Sequence, residues 1–216
     1  MNQLDQLLAP MATRIATDFE TDYAKFMMEN TALLSGTVGT AITTWDDVAG
    51  MGSIMDATGV PKDGNWCAAV NPFTQRKLAS DQRSLGGETG TMTANERATI
   101  TSNFAGMKVM SATTLANYTT GTGADRAGTV VGTPVATYLA AKDTMTQVVG
   151  VTAFQANLVV AAGETVTITG RNRLNLSTRQ PMIDETGAVV VWTATVTETV
   201  TLDGSGAGNL TLTGPA

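Results

Sequence analysis

The 216-residue sequence contains no histidine and a single cysteine. These two shortages limit the catalytic, metal-binding and disulfide chemistry that the protein can have. Histidine is the commonest general base, the usual zinc ligand and the partner of nucleophilic serine or cysteine, so catalysis that depends on it is excluded. A lone Cys67 excludes an intrachain disulfide. Because Cys67 lies in the apolar run 66–70, the sequence predicts a buried thiol that acts as a small hydrophobic side chain.

Catalytic arrangements that need no histidine have little support either, and the one carboxylate pair that stays open is Glu88 with Glu96, which lie in or near a loop. The glycine-rich segments 87–93, 121–128 and 204–208 match neither phosphate-binding loop pattern, and they do not connect a clear strand to a helix. Asp46 and Asp47 are adjacent, so on a helix they point about 100° apart and do not converge on one substrate atom. We therefore expect no enzymatic activity, no cofactor and no metal ion.

The charge and hydropathy of the sequence argue against nucleic acid and membranes as partners. The chain has 13 Lys and Arg against 19 Asp and Glu, a formal charge of −6, whereas a phosphate backbone or an anionic membrane requires clustered cations. No apolar run approaches the roughly 20 residues that cross a bilayer. Residues 1–10 lack the basic start of a secretory signal. The sequence predicts a protein made in a cytoplasm, without a membrane partner or specific nucleic-acid binding.

The first third of the chain has helical periodicity. Apolar residues recur at spacings of three and four, which is one face of a helix; they are Leu4, Leu7, Leu8, Met11, Ile15, Phe19, Tyr23 and Phe26. Because proline suits a first turn, the main helix is predicted from about Ala9–Pro10 to about Leu34. A second helix follows Thr43 or Thr44 as its cap and ends at Gly59.

The segment 66–128 is predicted to contain short strands, a third helix and loops. Trp66 to Val70 is predicted as a short buried strand, and Asn71-Pro72 predicts the start of a third helix that continues to about Ser80. Residues 85–93 are predicted to be a mobile loop, and a strand is expected around Met107 and Val109. The small, polar residues 116–128 indicate a linker or a domain boundary.

Beyond Thr129 the pattern becomes β-type. Short runs at 130–131, 146–152, 154–160, 164–169, 190–197 and 209–213 are separated by turn residues. Alternation places Val190, Trp192, Ala194 and Val196 on one face, and Thr193, Thr195 and Thr197 on the other. The spacing predicts a small antiparallel barrel or sandwich. The fold class is therefore α+β.

Three arginines lie within nine residues of an otherwise acidic chain: Arg171, Arg173 and Arg179. One interpretation is a solvated hairpin loop. The other is an interface loop whose guanidinium groups pair with carboxylates of a neighbouring chain. The sequence leaves both open.

Several motifs, in this order, resemble one family. They are residues 44–49 (TWDDVA), 59–64 (GVPKDG), 66–72, 104–109 (FAGMKV), 162–170 (AGETVTITG) and 174–178 (LNLST). Together with the long first helix they resemble tailed-phage major capsid proteins of the HK97-type fold. The β-type motifs resemble the insertion domain of the short-tailed Salmonella phage branch. The resemblance covers nearly the whole chain.

The resemblance implies a spine helix region at 1–36, an axial α/β domain at 37–128 and an all-β insertion domain at 129–216. It also implies a structural subunit that forms pentamers and hexamers of an icosahedral shell, with scaffolding and portal proteins as partners. Arg171, Arg173 and Arg179 become candidates for contacts between subunits. The N-terminal arm, the extended hairpin and the C-terminal part of such a fold are not recognised, so we expect a portion of a longer coat protein with an incomplete insertion domain.

The alternative is an adhesive or tail-associated structural protein with an immunoglobulin-like β-domain. It predicts that the β-domain alone binds a glycan or a receptor, whereas the capsid interpretation predicts self-assembly of the complete protein.

Overall fold

A computed structural model describes residues 3–133 and 146–214, with side chains from Leu8 onward. The chain divides into two compact units. The first, here called the axial unit, comprises the residues up to Thr21 together with Leu34–Leu115. The second, here called the β-rich unit, comprises Asp22–Leu33 and the residues from Ala116 onward.

Helix α1 spans Gln3–Asn30, so it begins earlier and ends earlier than predicted. Pro10 lies inside the helix, which therefore lacks the one backbone hydrogen bond that proline cannot donate. In the last turn, the Asn30 side-chain amide donates to the Phe26 carbonyl at 2.9 Å. Leu4 and Leu7 of the predicted apolar face lie outside the described side chains.

Helix α2, Trp45–Thr58, confirms the predicted caps. The Thr44 hydroxyl accepts from the Asp47 N–H, and the Asp47 carboxylate accepts from the Thr44 N–H at 2.9 Å, which completes a capping box. The same carboxylate accepts from the Thr43 N–H, and these backbone bonds lower the pKa of Asp47. Gly59 ends the helix at φ +97°, a conformation that favours glycine.

The predicted loop at 85–93 is wrong, because helix α4 occupies Glu88–Arg97. It follows helix α3, Pro72–Leu85, which Asn71 caps as predicted but which continues five residues past Ser80. Glycine and threonine have low helix propensity, so packing explains α4 better than local preference. At Gly90 a β-carbon would lie 2.7 Å from Nε2 of Gln82 on α3, so the missing side chain permits this approach.

The sheet of the axial unit has three strands in the order β1 (Cys67–Val70), β3 (Met107–Ser111), β2 (Asn103–Phe104). Strand β1 pairs with β3 in parallel, and β2 pairs with β3 antiparallel. The core of this unit contains Val48, Trp66, Val70, Leu78, Ala79, Ile100, Phe104, Met107 and Val109. The predicted burial of Cys67 is wrong: its side chain is exposed, because successive side chains of β1 alternate, with Trp66 and Val70 facing the core and Cys67 and Ala69 facing the uncovered side of the sheet.

In its described residues, the β-rich unit contains seven strands in two antiparallel sheets. The larger has the order β4 (Thr129–Val130), β5 (Thr146–Thr152), β10 (Gly208–Thr213), β8 (Val191–Val196), β7 (Thr165–Asn172). The smaller pairs β6 (Val159–Val160) with β9 (Val200–Thr201). Its core contains Val149, Val151, Leu158, Val160, Ala194, Val196, Leu202, Leu210 and Leu212. The antiparallel pattern agrees with the prediction, although the run 154–160 forms a strand only at its last two residues in sequence.

Two features of the β-rich unit go beyond what the sequence predicts. Thr195 lies on the face of β8 opposite Ala194 and Val196, here called the outer face, and it is buried because residues Thr31 and Ala32 cover that face. Residues 116–128 were interpreted as a linker or boundary. They contain no regular element, but Gly121, Gly123 and Gly128 pack closely against Val159, Leu158 and Phe154 respectively. The segment is therefore part of the packed unit, and the boundary between the units falls at its start.

Candidate interaction surfaces

The candidate functional features of the described residues are exposed surfaces and not clusters of reactive side chains. Within 3–133 and 146–214 no three of the residues His, Cys, Asp and Glu lie close enough to hold a metal ion. In the same part of the chain, none of the helices combines the length and the apolar composition that a membrane span requires.

The first surface is the apolar face of α1. Six of its large side chains are between 48% and 70% exposed: Leu8, Met11, Ile15, Phe19, Tyr23 and Phe26. Their spacing of three and four residues aligns them along one side of the helix. A continuous exposed stripe of this kind is typical of a surface that another part of a protein, or another protein, covers.

A second side of α1 is formed by Thr13, Thr17 and Thr21. Each hydroxyl donates to the carbonyl four residues before it, at 2.9 to 3.0 Å. At 100° per residue, Thr17 lies about 200° around the helix from Ile15, so this threonine face is opposite the apolar face. Because the hydroxyls are already bonded within the helix, the threonine face can be covered without leaving them unpaired.

The three arginines of segment 171–179 occupy different environments. Arg171 is exposed near the end of β7. Arg179 is exposed in a turn at φ +58°, where its N–H donates to the Asn175 carbonyl at 2.9 Å. Arg173 is only 3% exposed. The role in contacts between chains stays a prediction for all three, and burial makes Arg173 the least accessible.

Hydrogen bonds hold both the backbone and the side chain of Arg173 against neighbouring segments. Its N–H donates to the Val190 carbonyl, and its carbonyl accepts from the Met182 N–H, both at 2.9 Å. Its Nη2 donates to the carbonyls of Ala32 at 2.9 Å and Thr193 at 2.7 Å, and also to the Thr193 hydroxyl. Burial lowers the pKa of Arg173. Its Nη1 has no hydrogen-bond partner within the described residues.

A buried polar cluster, which the sequence did not predict, lies at the start of β7. The Glu164 carboxylate accepts from the Arg126 guanidinium and from the Gly121 N–H, while Arg126 also donates to the Gly121 carbonyl at 3.1 Å. The Tyr118 hydroxyl is buried without a partner in the described part of the chain. Burial, followed by the negative charge of Glu164, raises the pKa of Tyr118 to about 12. Nothing in the sequence marks these residues, because they come together only through the fold.

An apolar cleft of about 470 Å³ opens between β4 and β7. Its lining includes Val149, Val151, Ile168, Leu210 and Leu212, and the Arg171 side chain contributes a positive charge. Strands β4 and β7 are the two edges of the five-stranded sheet. Within the described residues, the cleft therefore lies between the two edges of this sheet.

An α+β chain with an exposed helix face, and with a sheet that the described residues leave open, is typical of a structural protein that acts through its surfaces. The family of the P22 coat protein, gene protein 5, matches residues 1–213. A major capsid protein of Acyrthosiphon pisum secondary endosymbiont phage 1 is 35% identical over 217 aligned positions, which cover 99% of this chain and 51% of that protein. The chain belongs to the P22 coat protein family, and its relative is a phage major capsid protein. It spans about half the length of the curated relative that it matches.

The family confirms the resemblance of the sequence to phage capsid proteins, and the mixed helices and sheets confirm the α+β class. The family is structural and not enzymatic, in agreement with the absence of catalytic patterns in the sequence.

Proposed function

We propose that this chain is part of a coat protein of the HK97-type fold, in the branch of short-tailed Salmonella phages. The complete protein is made in the host cytoplasm and assembles into pentamers and hexamers that enclose the genome. The main support is the family match over residues 1–213, which includes both the long helix and the β-rich part.

In this proposal residues 1–36 form the spine helix region, 37–128 the axial domain and 129–216 the insertion domain. Helix α1, of 28 residues, is the candidate spine. Its exposed apolar face is expected to be covered by other parts of the coat protein, since the relative is about twice as long as this chain. The compact units differ from these boundaries by including 22–33 and 116–128 in the β-rich part.

Among the described residues of 129–216, the strand directions support a barrel that is not closed. Each neighbouring pair in the five-stranded sheet is antiparallel, so the edge strands β4 and β7 run in the same direction. Joining them directly would create a parallel pair. One further strand, antiparallel to both edges, would close an all-antiparallel barrel over the apolar cleft. We assign that strand to residues of the coat protein other than those described here.

The partners are other coat subunits, a scaffolding protein and a portal. Arg171 and Arg179 are exposed and are the proposed contacts with carboxylates of a neighbouring subunit. Arg173 was a third candidate for this role, but its guanidinium is directed into the β-rich unit.

Co-expression of the complete reading frame with its scaffolding protein tests the assembly. Sedimentation velocity should resolve shells or capsomers far larger than one subunit. A complete protein that stays monomeric with scaffolding protein present would contradict the proposal. The charge reversals R171E and R179E should lower the yield of particles, while R83E, an exposed arginine of the axial unit, serves as the matched control.

A further inference from the structure

The outer face of β8 is covered by a short segment that directly follows α1. This segment, Thr31 and Ala32, is here called the strap. The Thr195 hydroxyl donates to the Thr31 carbonyl, and the Thr193 hydroxyl donates to the Ala32 carbonyl at 2.7 Å. Arg173 donates to the same Ala32 carbonyl at 2.9 Å. The strap and β8 lie about 160 positions apart along the chain, yet they belong to one compact unit.

The donors are arranged to recognise two consecutive carbonyl groups. Thr193 and Thr195 are two residues apart on a strand, so both side chains point to the same side of β8. The Arg173 guanidinium reaches that side from a neighbouring segment whose backbone is fixed at both its N–H and its carbonyl. Three side-chain donors therefore meet two backbone acceptors.

Because these donors are buried, losing the strap would affect stability. Thr195 and Arg173 are 1% and 3% exposed, and Ala32 is 8% exposed. A buried hydroxyl or guanidinium without an acceptor is destabilising, and the effect is larger for a charged group. Without the strap, Thr195 would lose its described acceptor, and Arg173 would keep only its bonds to Thr193.

The narrow space beside the strap also requires small residues at the positions that line it. A β-carbon at Gly214 would lie 3.1 Å from the Ala32 β-carbon and 3.3 Å from the Thr193 carbonyl oxygen. The strap therefore fits only where small residues face each other, at Ala32 and at Gly214. The identity of the Thr31 side chain, which is exposed, matters little.

We infer that Arg173, Thr193 and Thr195 form a binding site for backbone carbonyls, and that the strap is its built-in occupant. The site anchors the end of α1 to the β-rich unit through contacts distant in sequence. Arg173 is thus a positioning residue for the strap. The inference does not depend on how the complete coat protein assembles.

Backbone dynamics of the complete 216-residue chain test this inference. In the parent, the Ala32 amide should have a ¹⁵N order parameter of about 0.85, like the strands beside it. In the double variant T193V/T195V, which removes both hydroxyl donors at nearly constant volume, that value should fall below about 0.6 while the amides of β5 keep theirs. R173K, which keeps the charge but loses the planar fork, should have the same effect, as should A32L through steric exclusion.

Two exposed positions on β7 supply matched controls, T167V and R171K, and both should leave the strap ordered. If R173K or A32L does not fold, T193V/T195V still decides the outcome. An Ala32 amide that stays as ordered in T193V/T195V as in the parent would overturn the inference. So would a strap that is already disordered in the parent.

Discussion

The Arg126 guanidinium and the Glu164 carboxylate form an ion pair that joins two segments of the β-rich unit 38 residues apart. The Glu164 side chain is 9% exposed and the Arg126 side chain 30% exposed, so the carboxylate is the more deeply buried partner. The pair fastens the irregular segment 116–128 to the start of β7, because Glu164 also accepts from the Gly121 N–H.

Replacing the carboxylate should therefore destabilise the β-rich unit. We expect E164Q to lower the free energy of unfolding by about 1–3 kcal/mol, the range for losing a buried hydrogen bond to a charged group. Urea denaturation measures the change. The control E185Q lies in an exposed turn and should stay within about 0.5 kcal/mol of the parent. Equal effects of the two substitutions would show that the ion pair contributes nothing specific.

Tyr118 should make stability depend on alkaline pH. Its pKa in the folded chain is about 12, above the ordinary value of 10.0, so folding favours the neutral phenol. The corresponding stability is fully present below about pH 10 and is lost as the pH rises through about 12. Y118F should remove this component, and at pH 7 it should be neutral or stabilising because the hydroxyl is buried without a described partner. Urea denaturation midpoints measured between pH 9 and 12 check this prediction. The control is Y23F, a substitution at an exposed tyrosine. If the midpoints of the parent and of Y118F fall equally as the pH rises, the prediction is contradicted.

Two helical glycines should respond in opposite ways to alanine. G90A places a β-carbon against Gln82, whose Oε1 is held by the Thr101 N–H at 3.1 Å, so we expect a loss of about 1–3 kcal/mol from overpacking. G52A meets only ordinary contacts at 3.7 Å and beyond, so higher helix propensity should stabilise α2 by about 0.5–1 kcal/mol. Thermal denaturation compares the two variants. A G90A chain as stable as the G52A chain would argue against close packing of α4 on α3.

The apolar face of α1 should govern association and not folding. Ile15 is 68% exposed, so I15S is expected to change the free energy of unfolding by less than about 0.5 kcal/mol. Because the exposed stripe favours association, the same substitution should reduce self-association of this chain in sedimentation velocity. The control E20S removes an exposed charged side chain from the same helix. Undiminished association of I15S would mean that another surface is responsible.

The sequence predicted elements whose signals are local. Helix α2 was placed correctly because Thr44, Asp47 and Gly59 act on their own neighbours in the chain. Strands β5 and β10 follow from alternation or β-branched runs bounded by turns. Helix α4 was missed because its glycine and threonine content opposes a helix, and packing against α3 outweighs that preference. The exposure of Cys67 depends on which face of the three-stranded sheet is left uncovered, which no local pattern reveals.

The candidate surfaces were predictable only in part. The apolar periodicity of α1 was evident, but the sequence could not show that the face would be exposed in this chain. The three arginines were recognised as a group because they are close in sequence. Their separation into two exposed residues and one buried residue depends on Ala32, 141 positions before Arg173, and on Thr193. Contacts of such separation leave no pattern in a single sequence.

Electron cryo-microscopy of particles from the complete reading frame, co-expressed with scaffolding protein, tests the central claim most directly. The account predicts closed icosahedral shells of pentamers and hexamers. Each subunit should contain α1 with its apolar face covered and the five-stranded sheet of the β-rich unit. A well-folded complete protein that forms no shell, or shells whose subunits leave the apolar face of α1 exposed to solvent, would contradict it.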